Sequence, residues 1–173
     1  MIRAIRALIA LFAICVVASC GGGDSSKSSK LKTYSGPPVT QVVVKKGERK
    51  LYLVSGKTAV KSYQINLGNQ PVGDKQYEGD GKTPEGLYFI DRFNPNSRYH
   101  LSVGISYPSA QDVAQAAALG LRPGGDIFIH GLGPEGRALN KADWTAGCIA
   151  VTDEEIEEIF AMLRPGVPVF IYP

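Results

Sequence analysis

Short apolar segments separated by turn residues follow one another from residue 41 to the end of this chain. They are rich in Val, Ile, Leu, Tyr and Phe at alternating positions, as in half-buried β-strands, and Gly, Pro, Asn and Ser lie between them. The predicted strands occupy residues 41–45, 50–54, 59–67, 87–90, 99–105, 126–130 and 167–172. With 20 glycines and 11 prolines among 173 residues, the pattern predicts a mainly β domain and excludes a helical bundle.

Two segments have the features of helices instead. Residues 111–119 are rich in alanine, and Gly120 follows as a helix cap. Near the end of the chain, Thr152 and Glu155 form a capping box, and acidic residues favour the helix start. The apolar face of this second helix consists of Ile156, Ile159, Phe160 and Leu163. The acidic run at 153–158 is therefore interpreted as a solvated helix start and not as a metal site.

The first 19 residues have the pattern of an export signal. Arg3 and Arg6 precede an apolar run at 7–18, which is too short to span a bilayer because spanning takes about 20 apolar residues. The small residues before Cys20 resemble the lipobox of bacterial lipoproteins. That resemblance implies cleavage before Cys20 and a diacylglycerol on its sulfur. An ordinary cleaved signal that contains a cysteine is the alternative.

The chain is predicted to continue as a lipidated cysteine and a flexible tether at 20–38, followed by one catalytic domain at 39–173. The tether is rich in Ser, Gly and Lys. We therefore expect an exported lipoprotein that faces the periplasm and is held at a membrane by its lipid anchor. Glycine at position 21, instead of aspartate, implies the outer membrane if the host is Gram-negative.

The charge balance argues against nucleic acid as a partner. Of 19 basic residues, Arg3 and Arg6 fall in the leader, which leaves 17 against 16 acidic residues. Binding to phosphates needs a clear basic excess, which this domain lacks.

Cysteine usage singles out one thiol. Cys15 leaves with the leader and Cys20 carries lipid, so Cys148 is the one thiol expected in the mature domain. A lone thiol in an oxidising compartment is either buried and inert or kept for chemistry. The two histidines, His100 and His130, offer only two pairings for a cysteine nucleophile. Neither H-E-x-x-H nor C-x-x-C is present, so no metal site is predicted.

Of the two pairings, that of Cys148 with His130 is the better placed. His130 ends a predicted strand, and Cys148 lies in a loop shortly before the capped helix. We expect His130 to act as general base, with the carbonyl of Gly131 fixing its tautomer, and to favour the thiolate of Cys148. The N–H groups of Gly147 and Cys148 are predicted to form an oxyanion hole. The alternatives are that Cys148 is a small buried hydrophobe and His130 a core histidine.

The motif also resembles a known family. His130 stands 18 positions before Cys148 in the sequence Thr145-Ala146-Gly147-Cys148. This order and spacing resemble the YkuD-type L,D-transpeptidase catalytic domain, and the resemblance covers residues 39–172. It implies a β-sandwich with two or three helices that acts on peptidoglycan stem peptides. No cofactor is implied.

Two positions depart from the family pattern, because Ala146 and Ala150 replace the usual histidine and the usual Asn or Arg. Residues 94–102 and 143–152 resemble the YafK-like murein branch in particular. Some members of that branch hydrolyse the bond between peptidoglycan and an attached lipoprotein. A wall-attached lipoprotein is therefore an expected partner.

Other residues near the motif have weaker assignments. Trp144 and Thr145 are expected to support the motif, although a tryptophan there is more often a packing residue. His100 is expected to have a structural role instead of a catalytic one, with substrate contact as the alternative. Arg98 is a further candidate for substrate contact. The carboxylate of a diaminopimelate residue has three candidate partners, Arg92, Arg98 and Arg137.

The resemblance implies acyl transfer. Cys148 attacks a diaminopimelate carbonyl to form a thioester, which an amine acceptor resolves into a 3→3 crosslink or an attached protein. Two other functions stay open. One is a peptidoglycan amidase or hydrolase of the same fold, and the other is a wall-binding module without catalysis.

Overall fold

The computed structural model describes residues 29–139 and 141–173, and its eight strands form one curled sheet. The strands are β1 (Gln41–Lys45), β2 (Lys50–Ser55), β3 (Thr58–Gln64), β4 (Gly86–Asn94), β5 (Ser102–Ile105), β6 (Phe128–His130), β7 (Ile149–Ala150) and β8 (Pro168–Tyr172). The helices are α1 (Ala110–Ala118), α2 (Gly133–Leu139) and α3 (Asp153–Met162). The predicted mainly β class with two or three helices is confirmed.

The sheet curls because one long strand belongs to both of its halves. The strand order is β3-β2-β1-β8-β4-β5-β6-β7. The first half of β4 pairs with β8, and its second half pairs with β5 after a register shift between Ile90 and Arg92. Only β1–β8 and β6–β7 are parallel among these pairs. The short strands β6 and β7 close the far end of the sheet, where the predicted motif lies.

Alternation along the strands buries one face in a single core. In β1, Val42 and Val44 are fully buried while Val43 between them is partly exposed. The core draws on both halves of the sheet and on α3, whose Ile156 and Ile159 are fully buried. The predicted capping box of α3 is present, since the Thr152 and Glu155 side chains each accept from the other's backbone N–H.

Three predicted strands are shorter than expected. The segment 126–130 becomes a strand only from Phe128, because Asp126 has a left-handed backbone with φ +56. The segment 99–105 becomes a strand only from Ser102, because His100 has a left-handed backbone with φ +74. β3 stops at Gln64 instead of reaching residue 67. Beyond it, isolated bridges join Asn66 to Ala150 and Gly68 to Thr145, so this segment supports the motif loop.

Helix α2 has no counterpart in the sequence prediction. It begins with Gly-Pro-Glu-Gly, which is typical of a turn. The N–H of Gly133 donates to the Asp153 carboxylate at 2.8 Å, which ties α2 to the start of α3. A Cβ at Gly136 would lie 2.7 Å from the Trp144 ring, so this glycine allows the tryptophan to pack against the helix.

The end of the predicted tether contacts the domain. The Lys32 ammonium lies 3.1 Å from the Glu157 carboxylate of α3, and the Lys30 ammonium donates to the carbonyl of Pro95. Residues 29–38, the part of the predicted tether that the structure describes, thus contact the domain through these lysines, and a flexible tether at 20–38 stays a prediction. The leader and Cys20 lie outside the described residues. No helix in the described ranges is long and apolar enough to cross a membrane.

Candidate active site

His130 and Cys148 are held by two short parallel strands that are neighbours in the sheet. β6 ends at His130, and Cys148 comes directly before β7. The register pairs His130 with Ala150, which places Cys148 beside Phe128. Because side chains alternate between the faces of a strand, positions 128, 130 and 148 point to the same face. Phe128, His130 and Cys148 line one cavity of about 670 Å³.

The imidazole of His130 is buried and its tautomer is fixed. The residue is 3% exposed, and its Nδ1 lies 2.6 Å from the carbonyl oxygen of Gly131. A carbonyl only accepts, so Nδ1 carries the proton and Nε2 keeps a free lone pair. Burial lowers the pKa of His130, while the bond to Gly131 opposes that shift. The imidazole is therefore a neutral base whose orientation is fixed by its neighbour's backbone.

Two aromatic rings pack against this imidazole and against each other. The Tyr99 ring is tilted 31° to it with centroids 4.6 Å apart, and the Trp144 ring meets it edge-on with centroids 5.7 Å apart. Trp144 directly precedes the motif loop, so its packing couples the loop to the base. The structure places Trp144 behind the imidazole, where it orients His130 and does not line the cavity.

The Cys148 thiol is neutral in the resting site. It lies 3.5 Å from the main-chain carbonyl oxygen of Asp126, to which it donates. Burial raises the pKa of Cys148, and the Asp126 charge adds to this, whereas a hydrogen bond from the Phe128 backbone and the Lys75 charge act the other way. Burial therefore works against a resting thiolate, and the expectation that His130 favours the thiolate stays a prediction. Both groups are desolvated, which penalises their charged forms.

Thr145 and Gly147 set the shape of the loop before the nucleophile. The Thr145 hydroxyl donates to the Cys148 carbonyl at 2.7 Å and accepts from the Gly147 N–H at 3.1 Å. Gly147 has φ +141, and a Cβ there would lie 2.7 Å from the carbonyl oxygen of Lys82, so only glycine fits.

The loop geometry corrects the predicted oxyanion hole. The Gly147 N–H already donates to Thr145, so it is not free to bind an oxyanion in this conformation. The N–H of Cys148 donates to no protein atom within the described residues and stays available. Of the two predicted donors, the structure leaves only Cys148 in a position to act.

The motif loop is anchored from behind by a part of the chain that is distant in sequence. The Asp143 carboxylate accepts from the Arg49 guanidinium at 2.8 Å and from the Leu67 N–H at 2.9 Å. The Asp143 N–H donates to the Asn66 side chain at 3.1 Å, and the Thr145 N–H donates to the Leu67 carbonyl at 3.2 Å. These bonds fix the strand-like entry to Trp144 and Thr145.

The fold and this geometry agree with a comparison to known families. The profile of the YkuD family, described as the L,D-transpeptidase catalytic domain, matches residues 40–171. This chain belongs to that family. The match includes both His130 and Cys148 together with all eight strands except the last residue of β8.

Relatives of this L,D-transpeptidase-family chain include a protein named "Putative L,D-transpeptidase YafK" from Escherichia coli K12. The two are 32% identical over 190 aligned positions, which cover 99% of this chain and 71% of that protein. Among solved structures, the helical cell shape determining protein Pgp2 from Campylobacter jejuni is 28% identical, with TM-score 0.62 over 80% of this chain and 49% of Pgp2. Bd1075 from Bdellovibrio bacteriovorus shares the fold, at 21% identity and TM-score 0.56 over 82% of this chain and 51% of that one. This chain thus spans about half the length of these solved relatives.

Two cavities meet at the nucleophile of this L,D-transpeptidase-family domain. The larger one is walled by Phe128 and Tyr99 and by a polar set that consists of Asn94, Ser97, Arg98, Ser102 and Asp126. The second, of about 380 Å³, lies on the other side of Cys148 and includes Lys75, Ala146 and Asp126. Among the described residues, no three His, Cys, Asp or Glu side chains are grouped to hold a metal ion.

Of the three candidate arginines, the structure brings one to the cavity wall. Arg98 lines the larger cavity, pairs with the Glu135 carboxylate and lies 5.5 Å over the Tyr99 ring. Arg92 pairs with Asp126 and lies over the ring of Phe128, but it lines neither cavity itself. The guanidinium of Arg137 pairs with Asp153 and lines neither cavity.

His100, a candidate for substrate contact, lines neither cavity at Cys148. Its Nε2 lies 2.8 Å from the Glu157 carboxylate on α3, which also pairs with Lys32. The expected structural role is the one that this geometry favours.

The two departures from the family pattern have different surroundings. Ala146 is exposed and lines the second cavity beside Cys148. Ala150 is fully buried and exchanges two backbone hydrogen bonds of 2.8 Å with Asn66. Only Ala146 can therefore affect what approaches the nucleophile.

Proposed function

We propose that this chain is a peptidoglycan-modifying cysteine acyltransferase that acts on diaminopimelate stem peptides. The observation that carries the proposal is the pair of His130 and Cys148, which share one open cavity at the ends of β6 and β7. Family membership supports the reaction class, and the similarity to Pgp2, a helical cell shape determining protein, supports a role in the cell wall.

The first half of the reaction makes a thioester. The Cys148 sulfur attacks the diaminopimelate carbonyl while Nε2 of His130 takes the thiol proton, so the C–S bond forms as the S–H bond breaks. The Cys148 N–H donates to the developing oxyanion. The C–N bond to the next residue then breaks, and the imidazolium returns its proton to the leaving amine. Because both resting groups are neutral, proton transfer accompanies attack and does not precede it.

The second half of the reaction depends on the acceptor. An amine gives a 3→3 crosslink or an attached protein, and water gives hydrolysis. Ala146 favours hydrolysis, because its methyl group offers no hydrogen bond to orient an amine in the cavity beside Cys148. We therefore infer hydrolysis at least as prominent as crosslinking, including release of lipoprotein from the wall.

Product analysis tests both outcomes. The purified protein is incubated with disaccharide-tetrapeptide and, separately, with sacculi that carry bound lipoprotein, and mass spectrometry scores the products. We expect freed tripeptide and released protein at least equal to 3→3 dimers. Dimers in large excess over every hydrolytic product contradict the hydrolase preference. Released protein without a stem peptide establishes an amidase, and no product with Cys148 still reactive favours a binding module.

Restoring a polar side chain at position 146 is expected to shift the balance toward transfer. In Ala146→His, the ratio of dimers to tripeptide should rise about fivefold, the effect of one added hydrogen bond worth ~1 kcal/mol. Ala142→His is the matched control, since Ala142 is exposed in the same loop but lines neither cavity at Cys148. Equal ratios in both variants and the wild type contradict this role of position 146.

We also propose that the chain is an exported lipoprotein anchored through Cys20. Its support is the sequence around Cys20 alone, because that segment lies outside the described residues. Palmitate labelling in cells should be lost in Cys20→Ser and kept in Cys15→Ser, whose thiol lies within the predicted leader. Equal labelling of the Cys20→Ser variant and the wild type excludes the lipid anchor.

A further inference from the structure

Asp126 stands two residues before β6, in a backbone conformation that few side chains adopt. Its φ is +56, and it follows the pair Gly124-Gly125, in which Gly124 has φ +78. Non-glycine residues in this region cluster at functional sites. In this turn the main-chain carbonyl of Asp126 accepts from the Cys148 thiol, while its carboxylate is 84% exposed. The turn thus presents a solvent-exposed carboxylate next to the nucleophile.

The Asp126 carboxylate lies where the two cavities meet. Asp126 and Cys148 are the residues that line both of them. Its partner in the resting site is Arg92, whose guanidinium lies 2.9 Å from the carboxylate and 4.6 Å over the Phe128 ring. Arg92 is itself 45% exposed, and ion pairs this exposed are weak because water screens them. A ligand cation can therefore share or replace Arg92.

A carboxylate at this place is unfavourable for the thiolate of Cys148. Its charge raises the pKa of Cys148, and Lys75, whose charge acts the other way, is already paired with Asp80 at 2.8 Å in a buried contact. Arg98, on the wall of the larger cavity, has its own carboxylate partner. A cation bound at Asp126 would cancel the unfavourable charge.

We propose that Asp126 binds the side-chain ammonium group of a stem peptide beside Cys148. The inference rests on the proposed function and deepens it by naming the residue that recognises the substrate. The side chain of diaminopimelate ends in an amino-acid head with one ammonium and one carboxylate. Asp126 matches the ammonium, and Arg92 at 2.9 Å from it matches the carboxylate. Substrate binding then also removes the charge that opposes the thiolate.

The test compares two variants on two substrates. Asp126→Asn removes the charge and keeps the turn, because asparagine tolerates the left-handed conformation. Asp91→Asn is the matched control, since Asp91 also neighbours Arg92, at 3.9 Å, but lines neither cavity. The substrates are disaccharide-tetrapeptide with a free side-chain ammonium and the same compound acetylated at that nitrogen, and kcat/KM is measured for each.

We expect Asp126→Asn to lower kcat/KM about fivefold on the free-ammonium substrate and to leave the acetylated one unchanged. Asp91→Asn should match the wild type on both. A loss in released tripeptide assigns the ammonium to the donor, and a loss confined to 3→3 dimers assigns it to the acceptor. Without substrate, alkylation of Cys148 by iodoacetamide should become faster in Asp126→Asn only. A merely structural role would not speed alkylation while slowing turnover.

Two results overturn the inference. One is an equal loss on both substrates in Asp126→Asn, and the other is unchanged turnover of the free-ammonium substrate. In either case the proposed function stands, because turnover itself is present. A wild-type protein that converts neither substrate contradicts the proposed function and this inference with it.

Discussion

Replacing Cys148 by alanine should abolish turnover of peptidoglycan stem peptides, with a loss on the order of 10⁴-fold or more, because no second cysteine lies in the described part of the chain to form the thioester. Cys148 is partly exposed at the cavity, so truncation to alanine removes little packing. The fold should therefore be kept, which circular dichroism and the thermal midpoint check. Turnover is measured as loss of disaccharide-tetrapeptide.

Cys148→Ser provides a second variant with nearly the same shape. A hydroxyl is a much weaker nucleophile than a thiol, because it gives up its proton far less readily. We expect it to be as inactive as the alanine variant. If Cys148→Ala keeps wild-type turnover, the thioester mechanism is wrong.

Replacing His130 should have the second largest effect. His130→Gln removes the general base but keeps most of the side-chain volume that packs against Tyr99 and Trp144. We expect kcat/KM to fall by about 10²- to 10⁴-fold. The glutamine variant is preferred to alanine, because emptying a site that is 3% exposed would destabilise the fold.

His100→Gln is the matched control for the base. It is the same substitution at the other histidine, whose imidazole contacts Glu157 on α3 and not the cavity. Turnover should stay within about twofold of the wild type, since only a partly exposed contact is changed. Loss of activity in His100→Gln together with an active His130→Gln would reverse the assignment of the base.

What the sequence predicts well here is local. Alternation at 41–45 and 50–54 predicts β1 and β2, because a strand with one buried face must repeat every two residues. The capping box at Thr152 predicts the start of α3, since its hydrogen bonds join residues three positions apart. The order and spacing of His130 and Cys148 indicate the family for the same reason, as each motif is a short stretch at a strand end.

What the sequence does not predict depends on contacts between distant segments. Nothing local to Arg49 or Asn66 shows that they hold Asp143, at 94 and 77 positions' separation. The raised pKa of Cys148 follows from burial by the assembled fold. The occupied N–H of Gly147 depends on one hydroxyl orientation in the loop. The sequence does not single out Asp126 as a site residue, because an aspartate after two glycines is an ordinary turn pattern.

The central claim, that Cys148 carries the acyl group, is tested most directly by the mass of the intact protein. The protein is mixed with disaccharide-tetrapeptide, quenched in acid within the first turnovers, and weighed by mass spectrometry with and without hydroxylamine, which cleaves thioesters. We predict a mass increase equal to the disaccharide-tripeptide acyl group, which digestion should locate on Cys148. Hydroxylamine should remove this increase, and Cys148→Ala should not show it. Tetrapeptide conversion with no hydroxylamine-sensitive adduct on Cys148, or an adduct that persists in Cys148→Ala, would contradict it.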